Sequence, residues 1–128
     1  MNLPSTLIAG HGYVGTVLAQ TLHDEGAAVT ALNRSSPAHS TDYPVVMVDI
    51  SNESALASAA ENFGDPPEVI IHCAASGRGG GLKAYEAVYV EGMKNLKKAF
   101  PGIPIVFTSS TGVYGQNSGV TVSETSET

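Results

Sequence analysis

Gly10, Gly12 and Gly15 stand at G-x-G-x-x-G spacing within TLIAGHGYVGTVLAQTL, residues 6–22. The apolar run Leu7-Ile8-Ala9 precedes them. Val14, Leu18 and Leu22 follow four apart with Val17 beside them, which predicts the apolar face of a helix. Strand, tight turn and helix in that order are the context in which this spacing holds a pyrophosphate. Gly10 permits a turn that a Cβ obstructs. Gly12 lets phosphates approach the backbone, and Gly15 lets the helix pack close to the strand. The helix N-terminus then offers unpaired N–H groups and the positive end of a dipole. The expected ligand is a dinucleotide. A plain glycine turn is the competing reading in a chain with 14 glycines, and the strand–helix context favours the ligand. No Gly-Lys-Ser/Thr follows, which excludes a Walker-type phosphate loop.

Other chemistry-bearing residues are sparser. Ser109-Ser110-Thr111 offers hydroxyls ahead of Tyr114. Asp49 closes an apolar run, and Asn33-Arg34-Ser35 closes another. Arg78 lies in the glycine-rich stretch Ser76–Gly81, where a solvated side chain is favoured over a phosphate contact. Cys73 is the one cysteine, so no internal disulfide is possible. With no established base beside it, Cys73 is expected to pack, as is His72. The side chains of His11 and Tyr13 occupy variable motif positions and receive no chemistry. No metal site is expected.

The elements that must position these residues alternate. Residues 28–32 read as a second strand, after Gly26 ends the first helix. Residues 35–43 read as loop. Val45-Val46-Met47-Val48 reads as a buried third strand. Ser51 or Asn52 caps the next helix, whose apolar face is Leu56, Ala60 and Phe63. Gly64-Asp65-Pro66-Pro67 breaks it. Val69-Ile70-Ile71 is a fourth strand. A long helix is predicted from about Leu82 to Phe100, facing inward through Tyr85, Tyr89, Met93, Leu96 and Phe100. Ile103 to Thr108 is the fifth strand, with Pro104 near its start. Beyond Gln116 the composition is polar and predicts an irregular tail, leaving residues 1–115 as one dinucleotide-binding domain.

This alternation predicts an α/β, Rossmann-type doubly wound parallel sheet of strand order 3-2-1-4-5. Ligands bind such sheets at the carboxyl ends of the strands, near the switch point. Gly10–Gly15, Asn33–Ser35, Asp49, Ala74–Gly81 and Ser109–Thr111 all fall at those ends. Their convergence carries more weight than any one motif.

The chain has 128 residues, one domain's worth, and a net charge of −6. Its six Lys and Arg are scattered, so no nucleic-acid surface is expected. No secretory n-region and no apolar run near 18 residues is present; no membrane contact is expected and the predicted compartment is the cytoplasm.

GHGYVG (residues 10–15), VDI (48–50), HCAA (72–75), YVEGMKNL (89–96) and SSTGVYG (109–115) together resemble the extended short-chain dehydrogenase/reductase superfamily. Within it the likeness is to the NAD-dependent epimerase/dehydratase family, over nearly all of residues 7–124. The resemblance implies an NAD(P)-dependent oxidoreductase, epimerase or dehydratase acting on a nucleotide sugar or similar alcohol or carbonyl. It makes Ser110 the catalytic hydroxyl that hydrogen-bonds the substrate oxygen. It puts Gly10, Gly12, Tyr13, Val14 and Gly15 in the cofactor turn and gives Asp49, with Ile50 beside it, the adenine amino group. Ala74 and Ala75 resemble the small residues that let the adenosine half pass. Relatives selective for NAD carry an acidic residue at the end of the second strand, hydrogen-bonded to the ribose 2′-OH. Asn33 stands there instead, and Arg34 and Ser35 can bind a 2′-phosphate. NADP is therefore the preferred cofactor and NAD the alternative.

The chain departs from that pattern in two places. The family's Tyr-x-x-x-Lys acid/base pair occurs nowhere in these residues; counted from Ser110 it falls near residue 135, beyond Thr128. Tyr89 stands where many relatives carry Asn. The sequence resembles the first half of an enzyme, without a sixth strand or substrate lobe. The expectation is that these residues alone do not turn over substrate, because a serine hydroxyl is too weak an acid to transfer the proton unaided. The alternative function is a non-catalytic dinucleotide-binding or sensor module. An unpaired fifth strand, Ile105-Val106-Phe107, is expected to invite self-association.

Overall fold

The computed structural model describes residues 2–77, 79–109 and 114–128. Strand β1 (Thr6–Ala9) is buried at every position. Four residues with that pattern need neighbours on both edges and cover on both faces. The edges are met by β2 (Val29–Asn33) and β4 (Val69–His72), both parallel to β1. β3 (Val45–Met47) adds outside β2 and β5 (Ile105–Phe107) outside β4, also in parallel. The sheet order is β3-β2-β1-β4-β5, the order that the alternation of elements predicts.

Side chains alternate across β1 with period two. Leu7 and Ala9 join Leu32 and Ile70 on one face, under Leu56, Leu96 and Phe100. Ile8 turns the other way, to Ala31, Val29 and Ala19. The first face is covered by α2 (Glu53–Glu61) and α4 (Gly92–Ala99), and the second by α1 (Tyr13–Asp24). Each fully buried Leu or Ile contributes about 1.5–3 kcal/mol relative to exposure.

The phase of α1 differs from the expected one. Val14 and Val17 are 54% and 63% exposed, and the helix is buried through Gly15 and Ala19, with Leu18 and Leu22 packed beside them. Gly15 decides this. A Cβ there lies 1.8 Å from the Gly10 carbonyl oxygen, so the glycine edge of the helix must face the strand and Val14 and Val17 rotate outward. Gly26, at φ +94°, ends the chain's turn after α1 as its place predicts.

Capping places α2. Asn52 Oδ1 accepts from the Ala55 N–H at 3.0 Å, worth about 1 kcal/mol. Glu53 sits in the first turn and pairs with Lys98 of α4. β3 is shorter and less buried than its apolar run suggests. It pairs only with β2, so Met47 is 64% exposed and the buried valine, Val48, falls just past the strand.

The long helix is not one regular helix. α3 (Gly81–Glu86) passes through a π-helical turn (Ala87–Glu91) into α4. Gly92 N–H bonds back five residues to the Ala87 carbonyl. The extra residue advances the helix phase, so Gly92, Asn95 and Leu96 are buried while Tyr85 is exposed. The spacing of apolar residues holds only on the α4 side. β5 is three residues long rather than six, with Val106 54% and Phe107 41% exposed. Residues 114–128 contain turns and bends but no helix or strand.

Replacing Gly15 by alanine is expected to destabilise the fold by at least about 2 kcal/mol, because the new methyl meets backbone that cannot move without displacing α1. Urea denaturation of Gly15→Ala against the unmodified chain measures it.

Candidate functional site

The carboxyl ends of β1, β2 and β4 open onto a cleft of about 300 Å³. Its floor is the turn after β1. Gly10 holds φ +106°, and a Cβ there meets the Ala74 nitrogen at 2.4 Å. Gly10 and Gly15 are therefore required by the protein's own packing. Gly12 is not: no heavy atom lies within 4 Å of a Cβ built on it, and it faces the cleft. The space above Gly12 is free on the side where a ligand enters. Gly12 is also the N-cap of α1 and makes no side-chain cap bond. The first N–H groups of α1 are open to an anion, with Tyr13 and Val14 lining the cleft beside them.

The walls come from the other strands. Asn33, the last residue of β2, and Arg34 after it line one end. The Asn33 side chain donates to the Ser35 carbonyl at 3.0 Å, closing the turn that presents Arg34. Arg34 is exposed, and neither ion pair among the described residues includes it. Ser35 is exposed but does not line the cleft, and Gly15 lies behind it. Asp49 and Ile50 form the next wall. Asp49 Oδ1 accepts from both the Ser51 N–H (2.9 Å) and the Ser51 hydroxyl (2.7 Å). The other carboxylate oxygen makes no bond among the described residues, so a turn role and a ligand role are compatible. Ala74 and Ala75 complete the opposite wall.

Ten of the sequence-predicted cofactor residues thus line one cleft: Gly10, Gly12, Tyr13, Val14, Asn33, Arg34, Asp49, Ile50, Ala74 and Ala75. Ser110 and Arg78 lie outside the described residues. Just past β5, the Thr108 N–H and hydroxyl both donate to the His72 carbonyl, at 3.1 and 2.8 Å.

Four features escaped the sequence reading. His11 lines the cleft and its Nε2 is bonded to the Tyr43 hydroxyl at 2.8 Å. Burial pushes the His11 imidazole below its ordinary pKa, and burial with Asp42 nearby pushes the Tyr43 phenol up. Val88 reaches the cleft from the π turn. Asn95, buried on α4, donates to the Ile50 carbonyl at 2.9 Å and so holds the Asp49–Ile50 wall. Gly92 lets α4 approach that wall, since a Cβ there lies 2.7 Å from Ile50 Cδ1. His72 Nε2 meets the Val88 carbonyl at 3.1 Å, while its Nδ1 has no partner among the described residues. His11 falls within GHGYVG, His72 within HCAA, and Gly92 and Asn95 within YVEGMKNL, but none of these stretches announces the contact its residue makes. Cys73 is half-buried, and burial raises its thiol pKa, which suits a packing role.

A larger hollow of about 570 Å³ lies at the amino ends of the strands, bounded by Ser5, Ala28, Pro44 and Pro67. It contains no cation and no phosphate turn, so it does not compete as a dinucleotide site. No grouping of metal-ligating side chains occurs among the described residues, and no described helix is long and apolar enough to cross a membrane.

Known proteins bear on this geometry. A protein from Methylobacillus flagellatus assigned as an NAD-dependent epimerase/dehydratase is 36% identical, with a TM-score of 0.70 over 90% of this chain and 40% of that one. The Bordetella bronchiseptica enzyme WbmG, solved in complex with NAD and UDP, is 19% identical with a TM-score of 0.80 over 98% of this chain and 43% of that one. A Burkholderia cenocepacia protein assigned as an epimerase is 23% identical, TM-score 0.77, over 98% and 43%. The last two show likeness of fold. The chain spans 40–43% of the length of these three proteins. No curated protein matches the sequence significantly. The model of the NAD dependent epimerase/dehydratase family matches residues 6–128, and the chain belongs to that family.

Proposed function

We propose that this chain is the dinucleotide-binding portion of an NAD(P)-dependent epimerase, dehydratase or reductase, with NADP preferred over NAD. The observation that carries the reading is Gly12, an open position over a cleft at the start of α1. The N–H groups around Gly12, Tyr13 and Val14 hold the pyrophosphate, and the free oxygen of Asp49 takes the adenine amino group. Arg34 and Ser35 meet a 2′-phosphate; no carboxylate stands at Asn33 to repel it. The cofactor, when bound, carries the hydride. Ser110 orients the substrate oxygen beside it. A nucleotide sugar or similar alcohol or carbonyl is the proposed substrate class. It is supported by the family, and by a structural neighbour that holds UDP with NAD.

Equilibrium titrations of NADP and NAD test the cofactor assignment. NADP is expected to bind more tightly, and Arg34→Ala to weaken NADP by about tenfold or more, the worth of one charge-assisted hydrogen bond, while leaving NAD nearly unchanged. Tighter binding of NAD by the unmodified chain rejects the preference. Gly12→Val is expected to cost about 1 kcal/mol of stability as a poorer helix cap, yet to abolish binding of both cofactors. A folded Gly12→Val protein with full affinity removes the pyrophosphate from this turn.

The outer edge of β5 gives a proposal about partners. Its N–H and C=O groups face outward, and Val106 and Phe107 are exposed beside them. We propose that the isolated polypeptide self-associates there by strand pairing. Sedimentation is expected to show concentration-dependent association that Val106→Lys suppresses; a strict monomer at high concentration contradicts it.

A further inference from the structure

Tyr43 is the buried anchor of the segment joining β2 to β3. Its ring packs into the core with Ile8, Ala19 and Ala31. It lies between two imidazoles, with centroids 5.7 Å from His11 and 5.8 Å from His23. Thr41 Oγ1 closes the backbone around it by donating to the Tyr43 carbonyl at 2.6 Å. Its hydroxyl reaches His11, which belongs to the phosphate turn, and the His11 carbonyl accepts from Thr16 Oγ1 of α1 at 3.2 Å. Among the described residues, His11–Tyr43 is the one buried hydrogen bond between two side chains.

Packing alone does not call for that bond. A phenylalanine and an aliphatic residue fill the same space, and two polar groups taken out of water gain little net stability by meeting each other. A buried polar pair does fix one alignment against its neighbours. Here the aligned parts are the turn over which the cleft opens and the segment that begins with Arg34 and Ser35. The remaining hydrogen bonds of that segment are internal or to its own strands: Thr41 to the Tyr43 carbonyl, Asn33 to Ser35, Ser36 to Met47, and the Ala31 N–H to the Pro44 carbonyl. None of these reaches the phosphate turn.

We infer that the His11–Tyr43 hydrogen bond is a latch that fixes the 34–44 segment on the phosphate turn, making Tyr43 a positioning residue for nucleotide selectivity. The selectivity part rests on the cofactor reading proposed above for Arg34. With the latch closed, Arg34 is held at a set distance from Gly12 and little ordering remains to be done when a 2′-phosphate arrives. With it open, the segment keeps the packing of the ring against Ile8 and Ala19 but loses its one hydrogen bond to the phosphate turn, so Arg34 is less firmly placed. NAD, which has no 2′-phosphate, gains nothing from that placement. Tyr43 does not line the cleft, so its effect on binding runs through His11 and the segment.

Tyr43→Phe keeps the ring and removes the hydroxyl. Subtilisin cleavage within residues 34–42 is expected to accelerate in this variant while the rest of the fold stays intact. NADP affinity is expected to fall roughly three- to tenfold, the equivalent of one net hydrogen bond, with NAD affinity unchanged. The double variant His11→Leu/Tyr43→Phe leaves no polar group orphaned, so it keeps near-native stability and shows the same loss of selectivity. His11→Gln, which still reaches Tyr43, is expected to keep slow cleavage and selectivity. Unchanged cleavage within 34–42 in folded Tyr43→Phe overturns the latch. Faster cleavage with an unchanged NADP-to-NAD ratio overturns its role in selectivity. Faster cleavage in a chain that binds neither cofactor upholds the latch but overturns both the cofactor reading and the selectivity built on it.

Discussion

The close approach of α1 to the end of β1 is the constraint on which the rest depends. The Gly10 carbonyl oxygen lies 1.8 Å from where a Cβ on Gly15 would stand, a distance that admits no side chain on Gly15. That contact sets the rotation of α1, hence which of its residues meet the sheet. It also aims the start of the helix at the mouth of the cleft. The same turn presses against Ala74 after β4, so one glycine fixes the geometry between two neighbouring strand ends. Few degrees of freedom are left to Gly12, which stands at the only position in the motif not already claimed by protein atoms.

The cleft is positioned from both sides of the sheet. On one side α4 carries Gly92 and Asn95, which seat and bond Ile50. On the other, α1 carries the open N–H groups, and Tyr43 reaches His11 from beneath the helix. The π turn belongs to this arrangement. By shifting the helix phase it brings Val88 to the cleft and its carbonyl to His72, while α4 keeps its own buried face. Two of the chain's unusual backbone features, the glycine turn and the π turn, therefore face each other across one opening.

Topology and the principal cleft were legible in the sequence because each rests on local signals. Glycine spacing, short apolar runs and a capping residue at Ser51 or Asn52, which the structure resolves to Asn52, need no distant partner to be read. What escaped was decided by partners far along the chain. Tyr43 and His11 are 32 residues apart and Asn95 and Ile50 are 45 apart, and no periodicity announces either bond. The face of α1 was misplaced for a related reason. Val14 and Val17 are more apolar than Gly15 and Ala19, but steric need for a missing Cβ outranks hydrophobicity at that contact. β3 reads as buried from composition alone, yet its place at the sheet's edge leaves Met47 exposed. The Ser110 reading rests on family resemblance, outside the described residues.

The central position of β1 has a consequence for how the chain is made. β1 emerges first, and β2 pairs with it, Thr6 with Val29. Its other edge waits for β4, where Thr6 meets Val69. At ordinary rates of translation, roughly two to eight seconds separate the appearance of Asn33 from that of His72. Throughout that interval four residues that end up wholly buried present an open edge. Parallel pairing cannot be hurried by a hairpin, since each neighbour arrives only after a helix has intervened. The growing chain thus passes through a stage in which its most buried strand is half-paired, and protection of that stage falls to the speed of synthesis and to whatever binds nascent chains.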